Sequence, residues 1–523
     1  MKAKASWSDM TGILFWAAGM VMLGVSVFLC FSNDIWYDEL FTMGLACRPL
    51  SDLVAITAKD VHPPLYYIIA RFFLLLGRTV NGNADPVVIV KLVSVLPFFL
   101  CSFYAVTKIR KEFGMLCAGL FSFLSVSMPR LADYTVEMRM YGYALFFVMA
   151  GMMHAYALTE DHGEGKKQRG HWAALSVYAL AACYTHYFAC VAACMIYVYL
   201  FLDFCGGHQL KGRIRSLLAS GCVCVAGYLP WLAAAVISQV KTVKGSYWIA
   251  PLSLRTLGGC VKFLFLPALG RELFNVLAGA GLFLLFAAVF VTFIFRGIKN
   301  GVPADKRKAF FCVGCVGALC GIVLFGFAAS ALIRPVFVYR YMLPAVGAMW
   351  LAFAITFSET AFWETKTGKG IGIGLLAFLL AVGLRNYRSF YGEEMWKRVQ
   401  MAQTKEALSQ IPAEDALIFN FGQAQGVVSY YLENDSFLWY EEPEELICRM
   451  YPQNHSLVDG EFDDREGIGR LKELLEEQEV WFFGSGQARE EILEKWRAEG
   501  ICAEKVSEVL LERYWFNIYK LKM

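Results

Sequence analysis

PVVIVKLVSVLPFFLCSFYAVTKIRKEFGMLCAGLFSFLSVSM, residues Pro86–Met128, decides how the chain must be read. Two apolar runs, Pro86–Val106 and Gly114–Met128, flank Lys108, Arg110 and Lys111. An apolar run of this kind reads as a membrane-spanning helix, and a short basic loop between two spans belongs in the cytoplasm. Working back, Lys2 and Lys4 place the start of the chain on that same side. The apolar stretch Thr11–Phe31 then leads outward. No small-residue cleavage site follows it, so it reads as a span rather than a cleavable signal. Residues Ser32–Asp85 must begin and end outside. Within them Pro64–Leu76 is short for a span and holds Arg71, so a helix lying along the outer interface is expected.

Working forward, basic residues mark each return to the cytoplasm: Lys166, Lys167 and Arg169, then Lys211, Arg213 and Arg215, then Arg296, Lys299 and Lys306–Lys308, then Lys366 and Lys369. The alternation gives about eleven spans, with a last one near Gly370–Leu384 that leaves the tail outside. A reporter fused after Met523 is therefore expected to be active only outside the cytoplasm. Cytoplasmic activity would overturn the alternation.

The bulk numbers agree. Of 523 residues, 58% are hydrophobic and only 18% charged, where a soluble domain is nearer a quarter charged. Mean hydropathy is +0.48. The fold class expected is mainly α: a polytopic membrane helical bundle at residues 1–385, followed by a small extracytoplasmic α/β domain at 386–523. From Asn386 onward there are 27 Asp and Glu against 15 Lys and Arg, a net of −12. With +3 for the whole chain, the membrane part is +15. Its basic residues sit mostly in short loops, where orientation explains them, so nucleic acid is not an expected partner.

The tail alternates candidate strands (ALIFNF, VWFFGS, YWFNIYKL) with amphipathic helices at Glu394–Ser409, Gly469–Gln478 and Glu490–Ala498. That order suits a small α/β domain. It holds no glycine-rich phosphate loop. The 16 cysteines fall mostly in apolar runs, where they act as small hydrophobes. Cys312 and Cys315 have metal-like spacing but sit inside a span. Cys448 and Cys502 in the tail are placed to pair or to stay apart.

Five motifs stand out against this background: WYDE (Trp36–Glu39), HPPLYY (His62–Tyr67), MRMY (Met138–Tyr141), THYF (Thr185–Phe188) and RPVFVYRY (Arg334–Tyr341). The charge pattern puts all five at span ends on the outer face. Ionisable groups beside hydrocarbon are costly, so five clusters meeting at one face point to a working site. Asp38 and Glu39 have the chemistry of a general base for an acceptor hydroxyl. His62, opening a helix through two prolines, and His186 suit hydroxyl, phosphate or metal contact. Arg139, Arg334 and Arg340 run against the positive-inside tendency. A guanidinium fork suits an anionic phosphate, though snorkelling to lipid headgroups would also place arginines there. Tyr141 and Tyr341 accompany them. Tyr247 and Trp248, in the long outer loop, have the rings to stack on a sugar or to join an interfacial aromatic belt.

With these residues quoted, the chain resembles the C-type glycosyltransferases. It is most similar to bacterial members of glycosyltransferase family 39, relatives of the protein O-mannosyltransferases and of the aminoarabinose transferases of lipid A. The resemblance covers roughly Leu14–Leu384 and rests on WYDE, HPPLYYIIARFFLLLG, EMRMYGYAL, YTHYFA, YLPW (Tyr228–Trp231) followed by SYW, and RPVFVYRYMLP, in that order. It implies a polyprenyl-phosphate sugar donor, an acceptor hydroxyl on lipid, glycan or protein, transfer with inversion on the extracytoplasmic face, and a bacterial plasma-membrane location. Asp38 would be the base. Glu39, His62 and His186 would line the pocket, and Arg139 with Arg334 or Arg340 would face the donor phosphate. Metal-linked relatives place a carboxylate near the position of His62. A divalent metal, if held, would draw on Glu39, Asp60, His62 and His186. A glycolipid transporter or flippase is the alternative, and a receptor with an α/β sensing domain a third. Both leave the five outer motifs less well explained.

Overall fold

The computed structural model describes residues 7–523 apart from 161–164, 208, 238, 240–248, 250, 267–271, 301, 433, 435, 439–456, 460–464 and 512–513. Contacts divide the chain into two compact units. One comprises Met1–Phe31, Thr57–Ile69 and Lys91–Tyr391, and the other Ser32–Ile56, Ala70–Val90 and Gly392–Met523.

The first unit is a helical bundle. Among the described residues, nine helical stretches are long and apolar enough to cross a membrane. One of them, Pro86–Ser127, carries both apolar runs of the opening motif. It is interrupted by a π-helical turn at Ala105–Ile109 and broken at Gly114, whose φ of +83° lies where a side chain would strain the backbone. The helix α9 (Lys166–Thr185) was expected as a further span. Its opening residues, KKQRGH, are polar, and it is not among those nine. It nevertheless packs beside α8 (Tyr141–Glu160), α10 (Tyr187–Gly206) and α11 (Leu210–Trp231). Dividing the broken stretch in two and adding α9 recovers the expected eleven.

Helix α1 (Trp7–Leu29) lies against α6 (Arg110–Ser127) almost backbone to backbone. A Cβ on Gly119 would fall 1.9 Å from the Gly12 carbonyl oxygen, and one on Gly12 2.2 Å from that of Met115. Small residues at such crossings are how helices associate where lipid removes the hydrophobic drive. At the centre runs α15 (Leu343–Ser358), buried from Leu343 through Phe357. It packs on α6, α8, α13 (Leu273–Asn300) and α14 (Pro303–Leu332). Cys312 and Cys315 are buried thiols of α14, consistent with space-filling apolar residues.

The second unit contains an open six-stranded sheet in the order β3-β2-β1-β4-β6-β5. Strands β1 (Ala416–Phe419), β2 (Ser436–Leu438), β3 (Leu457–Asp459) and β4 (Val480–Gly484) are parallel. Strands β5 (Cys502–Leu511) and β6 (Tyr514–Lys522) close it antiparallel. The three expected strands are β1, β4 and β6. The expected helix Glu394–Ser409 is the end of α16 (Lys366–Leu408), one helix of 43 residues continuous with the last span. The other two expected helices are α18 (Arg465–Glu477) and α19 (Gly486–Ala498). Trp496 of α19, fully buried, meets the Phe482 ring edge-on at 4.9 Å in a core with Ile418, Leu471 and Leu521. Trp496→Ala should cost this domain about 3–5 kcal/mol, read as loss of hydrogen-exchange protection in β4. Unchanged protection would mean that the sheet does not depend on this core. Cys448 lies outside the described residues, so its relation to Cys502 is not part of the described fold.

The second unit also takes in α2 (Tyr37–Cys47) and α3 (Leu50–Lys59, of which Leu50–Ile56 belongs here). Helix α17 (Gly422–Tyr431), which follows β1, packs on α2.

Candidate active site

In the helical bundle, residues from four motifs converge. His186 sits between α9 and α10 and caps the latter, its Nδ1 accepting the Phe188 N–H at 3.2 Å. Nε2 must then hold the proton of the neutral ring. His186 is buried. Burial foremost, then the nearby His62, Arg139 and Arg340, hold its imidazole well below the ordinary histidine value. Its ring centroid lies 5.1 Å from that of Tyr341, 5.4 Å from Tyr141 and 6.4 Å from His62.

His62 is part of a short chain of contacts. Its Nδ1 lies 3.0 Å from Asp60 Oδ2, and its Nε2 lies 3.4 Å from an Nη of Arg139. An ionised carboxylate is acceptor-only and a guanidinium donor-only. The neutral ring therefore donates from Nδ1 to Asp60 and accepts at Nε2 from Arg139. Arg139 is 4% exposed. It sits in the turn between α7 (Asp133–Val136) and α8, closed by its own N–H to the Glu137 carbonyl at 2.7 Å. Pro63 and Pro64 lead into α4 (Leu65–Val80), where a missing N–H goes unneeded.

Tyr341 lies on a one-turn 3-10 helix, Tyr339–Met342, that opens α15. This places Arg340 at the head of the most buried helix of the bundle. Of the two arginines in RPVFVYRY, Arg340 is the one whose charge acts on His186. Arg334 is partly exposed just beyond α14. Tyr247 and Trp248 lie outside the described residues.

In the second unit, Asp38 and Glu39 occupy the first turn of α2 and take different parts. Glu39 is 5% exposed, and its Oε2 accepts the Trp36 N–H at 3.4 Å, capping its own helix. Asp38 is partly exposed.

Several neighbours were not anticipated. Tyr134 stacks edge-on with Tyr141 at 5.1 Å. Burial raises its hydroxyl pKa, Glu137 adds to this, and the charge of Arg340 opposes it. Trp231 of the YLPW motif donates its indole N–H to the Tyr187 hydroxyl at 3.2 Å. That hydroxyl donates to Gln239, whose amide in turn donates to the Thr57 carbonyl at 2.8 Å. YLPW and THYF thus meet beside the segment that carries Asp60. Arg130 has φ +68°, the left-handed region that side-chain-bearing residues occupy at a cost of about 1–2 kcal/mol. Such strain tends to collect at functional sites.

Among the described residues, no group of three or more His, Cys, Asp or Glu side chains is gathered to hold a metal ion. The ring of His62 is also committed at both nitrogens, with a guanidinium at Nε2 where a divalent cation would have to sit. Asp60, His62 and His186 therefore do not fit a metal, and Glu39 belongs to the second unit.

This architecture, a bundle of membrane helices followed by a small α/β domain, is shared with solved structures of other membrane proteins. The chain is similar to ArnT from Cupriavidus metallidurans in the apo state, with a TM-score of 0.59, 12% identity and 97% of each chain covered. It is likewise similar to the same protein bound to undecaprenyl phosphate, with a TM-score of 0.56, 13% identity and 98% of each chain covered. The archaeal oligosaccharyltransferase AglB from Archaeoglobus fulgidus, in complex with an inhibitory peptide and a dolichol-phosphate, aligns with a TM-score of 0.47 at 12% identity, over 91% of this chain and 70% of its own. No family model matches the sequence, and no curated protein does.

Proposed function

We propose that the chain is a membrane glycosyltransferase of the plasma membrane. It moves a sugar from a polyprenyl-phosphate donor to an acceptor hydroxyl on the extracytoplasmic face. The observation that carries this reading is the convergence of His62, Arg139, Tyr141, His186 and Tyr341, from four motifs far apart in the chain, in one cluster of the bundle. A guanidinium fork at the outer end of a membrane bundle suits a lipid phosphate, which it can grip through two parallel N–H contacts. The ArnT structure bound to undecaprenyl phosphate supports a lipid of that class.

The chemistry follows. The acceptor O–H gives its proton to Asp38, and the oxygen attacks the anomeric carbon. The bond from that carbon to the phosphate oxygen breaks, and the lipid phosphate leaves with the electron pair. Arg139 and Arg340 stabilise the charge that develops on it. Asp60 orients His62, and His62 orients the Arg139 fork. His186, neutral with Nε2–H free to donate, suits a sugar hydroxyl or a phosphate oxygen. A single displacement of this kind inverts the anomeric centre.

Mass spectrometry of surface glycans and lipids, with and without the gene, is the cellular test. One glycan or glycolipid should lose a sugar in the deletion strain, and the missing linkage should be inverted relative to the donor. An unaltered profile would overturn the reading.

A further inference from the structure

The tail holds the segment that leads into α2. Lys405, near the end of α16, donates to both Asn33 Oδ1 and Asp34 Oδ1, each at 2.7 Å. Its ammonium also lies 5.1 Å over the ring of Tyr431, within cation–π range. The Tyr431 hydroxyl, at the end of α17, accepts the Ile35 N–H at 3.1 Å and lies 3.4 Å from the Asn33 carbonyl oxygen, to which it donates. Within the segment, Asp34 Oδ2 accepts the Ser32 hydroxyl at 2.7 Å, and Ser32 Oγ accepts the Asp34 N–H at 3.2 Å. Trp36 is held by Glu39. Each residue from Ser32 to Trp36 is thus tied. Three of them, Asn33, Asp34 and Ile35, are tied to residues more than 370 positions away, all inside the second unit.

Two residues after Trp36 stands Asp38. We propose that Lys405 and Tyr431 are positioning residues for the transfer reaction: they fix the start of α2 and so the direction in which Asp38 presents its carboxylate. This rests on the reading of Asp38 as the base. The ion pair is partly exposed, at 30% and 24% for the two side chains. Pairs of that kind contribute little to stability. The arrangement of five successive tied residues makes sense as orientation, where a displacement of about 1 Å can cost about 10²-fold in rate.

A double-mutant cycle separates the possibilities. Lys405→Met removes the charge and keeps most of the length, and Tyr431→Phe removes only the hydroxyl. Both are read in purified full-length protein with a polyprenyl-phosphate sugar, alone and with Asp38→Asn, with thermal unfolding followed in parallel. Each single variant should lower kcat about 10-fold, leave the donor KM and the unfolding temperature nearly unchanged, and add no further loss on Asp38→Asn. Lys405→Arg should recover most of the rate. If Asp38→Asn is slow but the losses multiply, or if Lys405→Met and Tyr431→Phe are both at wild-type rate, the positioning role is wrong and the base reading stands. If Lys405→Met unfolds early, Tyr431→Phe decides alone by the same criteria. Normal turnover in Asp38→Asn would remove the base reading itself, and this proposal with it.

Discussion

Asp38→Asn is expected to slow turnover by about 10²–10⁴-fold while leaving donor binding nearly intact, because general-base catalysis contributes in that range. The change keeps the side chain's shape and removes its ability to take a proton. Glu39→Gln tests the neighbouring carboxylate. Glu39 is buried, and its Oε2 faces the Trp36 N–H at the start of its own helix. A carboxamide oxygen can still accept that N–H, so the loss should be modest and shared with stability. Consecutive residues on a helix point in different directions, and Asp38 is the more exposed of the two. Both rates are read on purified protein with a polyprenyl-phosphate sugar. A near-normal Asp38→Asn beside a dead Glu39→Gln would transfer the role to Glu39.

Arg139→Ala and Arg340→Ala should each lower the rate by about 10²–10³-fold, the size of effect seen when one fixed donor to a developing charge is removed. Arg139 carries the stronger expectation, since it is nearly fully buried and held by His62. Donor KM should rise as well, because the phosphate already carries charge before reaction. Arg139→Lys should rescue only partly. A point ammonium cannot reproduce two parallel N–H contacts, nor can it hold the His62 contact and phosphate in the same plane. Full turnover in both alanine variants would reassign these arginines to lipid headgroups.

Much of the candidate cluster was legible because membrane spans are plain. Against long apolar runs, His62, Arg139, His186 and Arg340 stand out as expensive groups at span ends, and the structure brings them together. The broken helix at Gly114 was legible for the same reason, since Lys108, Arg110 and Lys111 cannot remain in hydrocarbon. Other parts carry no such signal. Gln239 and Tyr134 are ordinary residues whose role comes from who packs beside them. The left-handed backbone of Arg130 is set by the turn around it rather than by its own preference. In the tail, β5 (CAEKVSEVLL) is mostly charged or small on its exposed face, and β2 and β3 have three residues each. Such strands lack the apolar alternation that marks a strand in sequence. The contact of Lys405 and Tyr431 with Asn33–Ile35 joins residues far apart in sequence, and no local pattern encodes it.

The measurement that bears most directly on the account uses purified protein in liposomes with a radiolabelled polyprenyl-phosphate sugar. Glycosyl transfer predicts release of free polyprenyl phosphate matched by label in an acceptor, strongly slowed by Asp38→Asn and by Arg139→Ala. Intact labelled glycolipid appearing in the opposite leaflet, with no polyprenyl phosphate released, would contradict it and identify a flippase.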